Sequence, residues 1–351
     1  MPPATRSFPT SQLHVLKTHN GPVNAISFSS SPGTYLLTGS SDRAIHLTRA
    51  LPSSTSSSSS SSTTASPTDP PTTTSPIQKY EAHGYSVLDI AVTADNARFA
   101  SVGGDKQVFL WDVETGTTVR RWSGHDGRVE AVEFGGEGDG VVVSGSSDTT
   151  IKIWDTRSLT SKPIQTLSDA KDTISSLAIH TPTSCIISAS YDGRIRTYDI
   201  RMGQVREDVL GRAPVTSVRC SADGNVVLAS CLDGWIRVVD REDGRVLKAF
   251  GIPEGEQEGD EDDGVRYRNS ALRIRSAFAG GDGVVFSGGE ADEEKTENNG
   301  GYVFAWDVLT GDRIACVDAG RGVKVVSCVA WNKRGGYWAG GCSDGTVKVF
   351  G

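Results

Sequence analysis

Three stretches of the chain repeat one another: VGGDKQVFLWD (102–112), GSSDTTIKIWD (145–155) and ASYDGRIRTYD (189–199). Each sets an Asp six residues before an aromatic residue, and a second Asp follows the aromatic. Weaker copies lie at 39–49, 230–240, 300–307 and 341–351. The aromatic slot is filled in turn by Thr48, Trp111, Trp154, Tyr198, Val239, Trp306 and Phe350. Successive slots stand 43, 44, 41 and 44 residues apart wherever no insertion intervenes; the two longer intervals, 63 and 67, both contain one. Seven copies of about 43 residues therefore account for the 351-residue chain.

A period of this length is that of the WD-repeat blade, four short strands per copy. The expected fold is all-β, a single seven-bladed WD-repeat β-propeller over residues 1–351, with residues 1–10 as a flexible N-terminus. In the third copy, strand a is read near 129–134, strand b near 141–144, strand c at 151–154 and strand d near 164–167. Val and Ile alternate along these strands, so both faces can be buried between neighbouring blades. The last copy stops at strand c, and LHVLK (13–17) reads as an orphan strand d, similar to VLKAF (246–250). It should complete the final blade and close the ring. Gly103, Gly104 and Gly145 are read as turn glycines that need positive φ.

Composition agrees with a turn-rich β chain: 40 Gly against two Met, and 36% hydrophobic residues, enough for a sizeable core. No run approaches the ~18 apolar residues of a membrane span, and the N-terminus lacks the apolar core of a signal peptide. A soluble, intracellular protein is the expectation. Cys185, Cys220, Cys231, Cys316, Cys328 and Cys342 are dispersed, without Cys-x-x-Cys spacing. They read as reduced, buried thiols rather than a metal or disulfide framework.

His125, Ser144 and Asp148 resemble a Ser-His-Asp catalytic set. The same constellation recurs one copy earlier as His83, Ser101 and Asp105, with Trp111 matching Trp154. A catalytic site has no reason to be duplicated, whereas a buried hydrogen-bonded chain in a repeat protein does. These eight residues, with Ser188 and Asp192 of the fourth copy, are assigned to a structural network. His19, Thr38 and Asp42 form an incomplete set in the first copy. Asp233 with Val239 and Asp344 with Phe350 depart from it, so the first, fifth and seventh blades are expected to rely on apolar packing. There is no phosphate-binding Gly-rich loop, no His-Glu-x-x-His and no Cys/His metal spacing. No enzyme activity, cofactor or metal is expected.

The 25 residues of 52–76 include eleven Ser, seven Thr and five Pro, too little apolar surface to offset ordering entropy. They are read as disordered, between strands c and d of the first blade, with Ser66 and Ser75 before prolines as candidate phosphorylation sites. Acidic loops are read at 251–265, between blades five and six, and at 289–300, within blade six. The run 254–263 has seven acids and no base, and 290–299 has five acids and one Lys. Together they contribute −11 to a chain of net charge −8, so the remainder is about +3. Such loops favour a basic partner and oppose direct nucleic-acid binding in that sector. On the same face, Tyr85, Lys106, Arg128, Lys171, Tyr191, Arg212 and Leu232 form a candidate partner-binding group, since aromatic and Arg residues at a rim are typical anchors.

AHGYSVLD (82–89), GGDKQVFLWD (103–112), QTLSDAKDTISSL (165–177) and YDGRIRTYDIRMG (191–203) together resemble the mitogen-activated protein kinase organiser family, also called WD repeat domain-containing protein 83. The likeness runs from about residue 14 to the end, strongest over 79–247 and weak in blade six. It implies a non-enzymatic scaffold associated with a mitogen-activated protein kinase module, with the spliceosome and pre-mRNA splicing, in cytoplasm and nucleus. The expected partners are proteins; direct nucleic-acid binding and membrane binding are not expected, and the chain is expected to be a monomer outside its complexes. The alternatives are an RNA-contacting propeller subunit of a ribonucleoprotein and a WD-repeat adaptor in another complex.

Overall fold

The computed structural model describes residues 7–52, 70–251, 265–291 and 300–351. Seven sheets, each with four antiparallel strands, stand around an axis, and neighbouring blades touch chiefly through their first strands, so that strand a of each lines the centre. Strands a to d of blade two are Val87–Val92, Arg98–Gly103, Gln107–Asp112 and Thr118–Ser123. Blade three repeats them as Val129–Gly135, Val141–Ser146, Ile151–Asp155 and Gln165–Leu167, within a residue or two of the expected bounds. Each blade carries apolar side chains on both faces, and the core is a series of wedges between blades. Trp122 and Trp154, for example, stack at 5.9 Å in the wedge between blades two and three.

The b–c turns follow one rule. The residue after the turn Asp is left-handed in six blades: Arg43, Lys106, Thr149, Gly193, Gly234 and Gly345 all have φ between 63° and 84°. Gly103, Gly104 and Gly145, expected to supply positive φ, do not have it. At Gly103 and Gly145 a Cβ has no room: at Gly103 it would fall 2.2 Å from the carbonyl oxygen of Ser86, on the blade's own incoming loop, and at Gly145 2.5 Å from Ile174 Cγ2 of the next blade.

The ring closes where the orphan strand was expected. Gln12–Leu16 pairs antiparallel with Val347–Phe350, strand c of blade seven. Two expectations about flanking segments are corrected. Of the terminus read as flexible, residues 7–10 are docked: Phe8 is 8% exposed and packs on Phe286, Trp331 and Trp338 between blades six and seven. Trp338 Nε1 donates to the Pro9 carbonyl at 2.9 Å. Of the insertion read as disordered, residues 70–76 are placed. Thr72–Thr73 runs parallel to Val15 and Leu16 as a fifth strand of blade seven. Buried His14 ties this seam together, with Nδ1 at 2.9 Å from the Ala50 carbonyl and Nε2 at 2.9 Å from Thr73 Oγ1. Ser66 lies outside the described residues, and Ser75 is exposed.

Phe8→Ala should cost about 3 kcal/mol, the range for a buried Phe, and deleting residues 1–18 should lower the melting temperature more steeply. Thermal melts of the two variants check this; a deletion that melts like wild type would contradict closure by the N-terminal strand.

Candidate protein-docking face

In blades two and three a four-residue chain crosses each sheet. Trp154 Nε1 donates to Ser144 Oγ (2.8 Å), Ser144 Oγ lies 2.8 Å from His125 Nε2, and His125 Nδ1 lies 2.8 Å from Asp148 Oδ2. Blade two repeats it through Trp111, Ser101, His83 and Asp105 at 2.8, 2.7 and 2.6 Å. Every atom is satisfied when the hydroxyl donates to Nε2 and Nδ1–H donates to the carboxylate. Both serines are fully buried and already accept an indole N–H, so neither hydroxyl can reach a substrate. Asp148 also accepts from the Asp126 amide of the incoming loop and the Thr150 amide of its own turn, clamping the two together. Hydrogen bonds from His125 and Thr150 hold its carboxyl below the usual range despite burial.

Blade four departs from the expectation. Ala170 stands where blades two and three have His, and Asp192 is held by Arg196 instead, at 2.7 Å. Arg196 is completely buried and also bonds Glu207 at 2.8 Å. Ser188 is buried but joins no Trp–Ser–His chain. Blades one, five and seven are likewise not left to apolar packing. His19 bridges Thr38 and Asp42 and stacks on His46 at 4.0 Å. Burial pushes the His46 imidazole down to about 4, so it stays neutral. Asp233 is bonded by Arg237 at 2.6 Å, and Asp344 by Thr346 Oγ1 at 2.7 Å.

The axis carries a network that sequence reasoning missed. Arg275, at the inner end of blade six, pairs with Asp89 of blade two at 2.5 Å. Arg273 pairs with Glu130 of blade three at 3.2 Å and donates to its carbonyl at 2.8 Å. Arg219 of blade five reaches Glu133 of blade three at 3.0 Å. These pairs join blades that are not neighbours, so they brace the ring across its channel. Glu133 keeps about a third of its side-chain surface open to the channel with protein on every side, and desolvation raises its carboxyl to about 7. The available signal was the charge interrupting otherwise apolar strand-a runs, as in VLDIAV, VEAVEFG and VTSVRC.

The candidate binding residues lie where b–c turns and incoming d–a loops share one face. Tyr85, Lys106, Arg128, Lys171 and Arg212 are exposed, while Tyr191 and Leu232 are half-buried. Not all sit together at the channel mouth. Tyr191 does, in the field of Arg273, Glu130 and Arg128, with its phenol pushed up by burial. Arg128 keeps 64% of its side chain exposed while its guanidinium rests 3.1 Å from Glu130. Lys106 and Tyr85 belong to the rim of blade two and Arg212 to blade five. Among the described residues no cluster of His, Cys, Asp and Glu could hold a metal ion, and all six thiols are free. Cys220 and Cys316 are only half-buried, unlike the other four. The acidic runs lie outside the described residues, apart from Glu290, which accepts from the amides of Ser270, Ala271 and Leu272.

Asp148→Ala should destabilise by roughly 1–3 kcal/mol at pH 7 through orphaned partners. Because its carboxyl is depressed in the folded state, the contribution is complete above the ordinary value of 3.8 and fades as pH falls below it. Urea melts of wild type and variant should therefore converge on acidification; a gap that widens would contradict the clamp. Arg275→Ala should cost about 3–5 kcal/mol by leaving Asp89 buried and unpaired, and the same melts read it; a loss below 1 kcal/mol would remove the brace from the account.

The model for "WD domain, G-beta repeat" matches residues 10–48, 74–112, 116–155, 161–199, 207–240 and 316–351. The gap between the last two matches holds most of blade six, up to the middle of its strand d. WD repeat domain-containing protein 83 of Rattus norvegicus is 34% identical over 321 residues, spanning 92% of this chain and 86% of its own. The Homo sapiens protein of that name aligns with the same figures. The WD repeat domain-containing protein 83 homolog of Dictyostelium discoideum is 30% identical over 308 residues, covering 80% and 82%. Seven blades, the Asp-clamped turns and these alignments together show that the chain belongs to the WD repeat domain-containing protein 83 family of β-propellers.

Proposed function

We propose that this chain is a non-enzymatic scaffold that docks partner proteins on its loop face, at the channel mouth between blades two and five. The observation that carries the reading is Tyr191, half-buried beside Arg128 and Arg273 on a ring braced across its axis. An aromatic ring and a guanidinium held by their own surroundings lose little freedom on binding, which is what makes anchors of them. Charged groups inside the ring are paired with one another, so the chemistry offered to the outside is recognition rather than turnover.

The finer reading rests on family likeness. The scaffold organises a mitogen-activated protein kinase module, where tethering raises effective concentration without new chemistry. It also works with spliceosomal proteins in pre-mRNA splicing, and it resides in cytoplasm and nucleus. Ser75, exposed beside the closing seam, and Ser66 serve as phosphorylation sites. The acidic runs beside blade six disfavour RNA as a direct ligand.

Affinity purification from native cells should test this, comparing wild type with an Arg128→Glu/Tyr191→Ala double variant. Partner proteins should be depleted from the variant at least tenfold. Kinase-module proteins among those lost support the signalling role, and spliceosomal proteins the splicing role. An unchanged partner set with a correctly folded variant would refute docking at this mouth.

A further inference from the structure

The outer edge of a propeller blade keeps backbone donors and acceptors unpaired, and such an edge templates further pairing unless it is blunted. Blade seven shows that the edges of this ring accept a strand, since Thr72–Thr73 adds to its outermost strand. The other edges are protected differently. Strand d is three residues long in blades one and three, Gln78–Tyr80 and Gln165–Leu167. Blade two carries adjacent Arg120 and Arg121, which a like strand would repel. Blade five exposes Val246 and Leu247, at 44% and 52%, but its ladder shifts register beside Val238 and Val239, and it carries a central lysine, Lys248, whose Nζ donates to the Leu309 carbonyl at 2.6 Å. Blade six has Arg313–Asp318, half-buried along most of its length.

Blade four is the exception. Its strand d, Gln204–Val209, is six residues long, with Val205 50% and Val209 64% exposed. Among the described residues no strand pairs with its outer side. Leu210 N donates to the Gly193 carbonyl at 3.1 Å, continuing the ladder in which Gln204, Arg206 and Asp208 face strand c. Hydrogen-bonded pairs alternate along an antiparallel ladder, so the backbone groups of Val205, Glu207 and Val209 point outward. An antiparallel second copy must set these residues against the same three of its own.

Centring the two-fold axis on Glu207 uses all three. Val205 then faces Val209 of the second copy, twice, on one side of the sheet. Arg206 faces Asp208 of the second copy, twice, on the other. Glu207 meets its own mate, but its two carboxylate oxygens are already engaged by Arg194 and Arg196. Arg206 is paired with Asp208 at 3.2 Å within the strand. The charges that would ordinarily blunt this edge are thus neutralised inside the blade, and the register is self-complementary in both apolar and charged positions.

We propose that Gln204–Val209 is a homodimerisation edge, through which two copies join blade four to blade four as one eight-stranded antiparallel sheet. This interface is independent of the loop face and leaves both channel mouths open.

Sedimentation equilibrium of the full chain over a concentration series tests it, with far-ultraviolet circular dichroism melts to confirm folding. Wild type should dimerise with a dissociation constant on the order of 100 µM, as suits an edge well below a standard interface in size. Val205→Lys/Val209→Lys sets Lys against Lys twice and should weaken the dimer at least tenfold. Val205→Lys/Val209→Glu sets Lys against Glu in the same register and should restore it. A wild type that stays monomeric up to about 1 mM, a Lys/Lys variant that dimerises like wild type, or a Lys/Glu variant that does not recover would each overturn the proposal.

Discussion

The pairing of Gln12–Leu16 with Val347–Phe350 is the interaction on which the rest of the molecule depends. Each blade is apolar on both faces, so no blade can stand last in a row; burial is complete only when the seventh meets the first. Building the seventh sheet from both ends of the chain makes closure a property of folding as a whole. The closing strand is then held from several sides. Thr72–Thr73 covers its outer edge, His14 fastens the seam to the blade-one insertion, and Phe8 packs beside Trp338, which stacks on Phe350 at 4.3 Å. The loop face inherits its rigidity from this closure, because its turns are short spans between strands that cannot move apart.

Within the closed ring, the repeated requirement is a satisfied turn Asp, and the blades meet it with different chemistry. In blades two and three the partner is a histidine backed by Ser and Trp; in blade one it is a histidine backed by Thr38 and stacked on His46. Arg196 and Arg237, four residues after their Asp on strand c, do the same work in blades four and five. A guanidinium arriving from the strand can replace an imidazole arriving from the loop because the carboxylate needs donors at the turn, whatever their origin. At the axis the same economy recurs: Asp89, Glu130 and Glu133 are neutralised by arginines from across the channel, which turns inward-facing charge into a brace.

Much of this was legible because a repeat reports itself. The Asp-to-aromatic spacing located the b–c turns and strands c, and the truncated last copy pointed to the closing strand. Local contacts within a copy, such as His125 with Asp148, follow from the same spacing. What escaped depends on partners far apart in sequence. Arg275 and Asp89 are separated by 186 residues and lie in blades whose relative placement only the ring defines. Composition misled at two edges, since a Ser/Thr/Pro-rich average conceals that Thr72 and Thr73 meet an open strand, and a chain terminus conceals the docking of Phe8. The glycines were assigned to the right places for the wrong reason: Gly103 is required by the close Ser86 carbonyl and Gly145 by Ile174 of the next blade, rather than by φ.

The central functional claim is that partners approach the loop face. Cross-linking mass spectrometry of native complexes reads this directly, because exposed lysines mark both faces. Lys106 and Lys171 belong to the loop face, and Lys162 and Lys333 to turns of the opposite one. The account predicts that links to partner proteins concentrate on Lys106 and Lys171. Links concentrated on Lys162 and Lys333 would place the docking surface on the wrong side of the ring and contradict it.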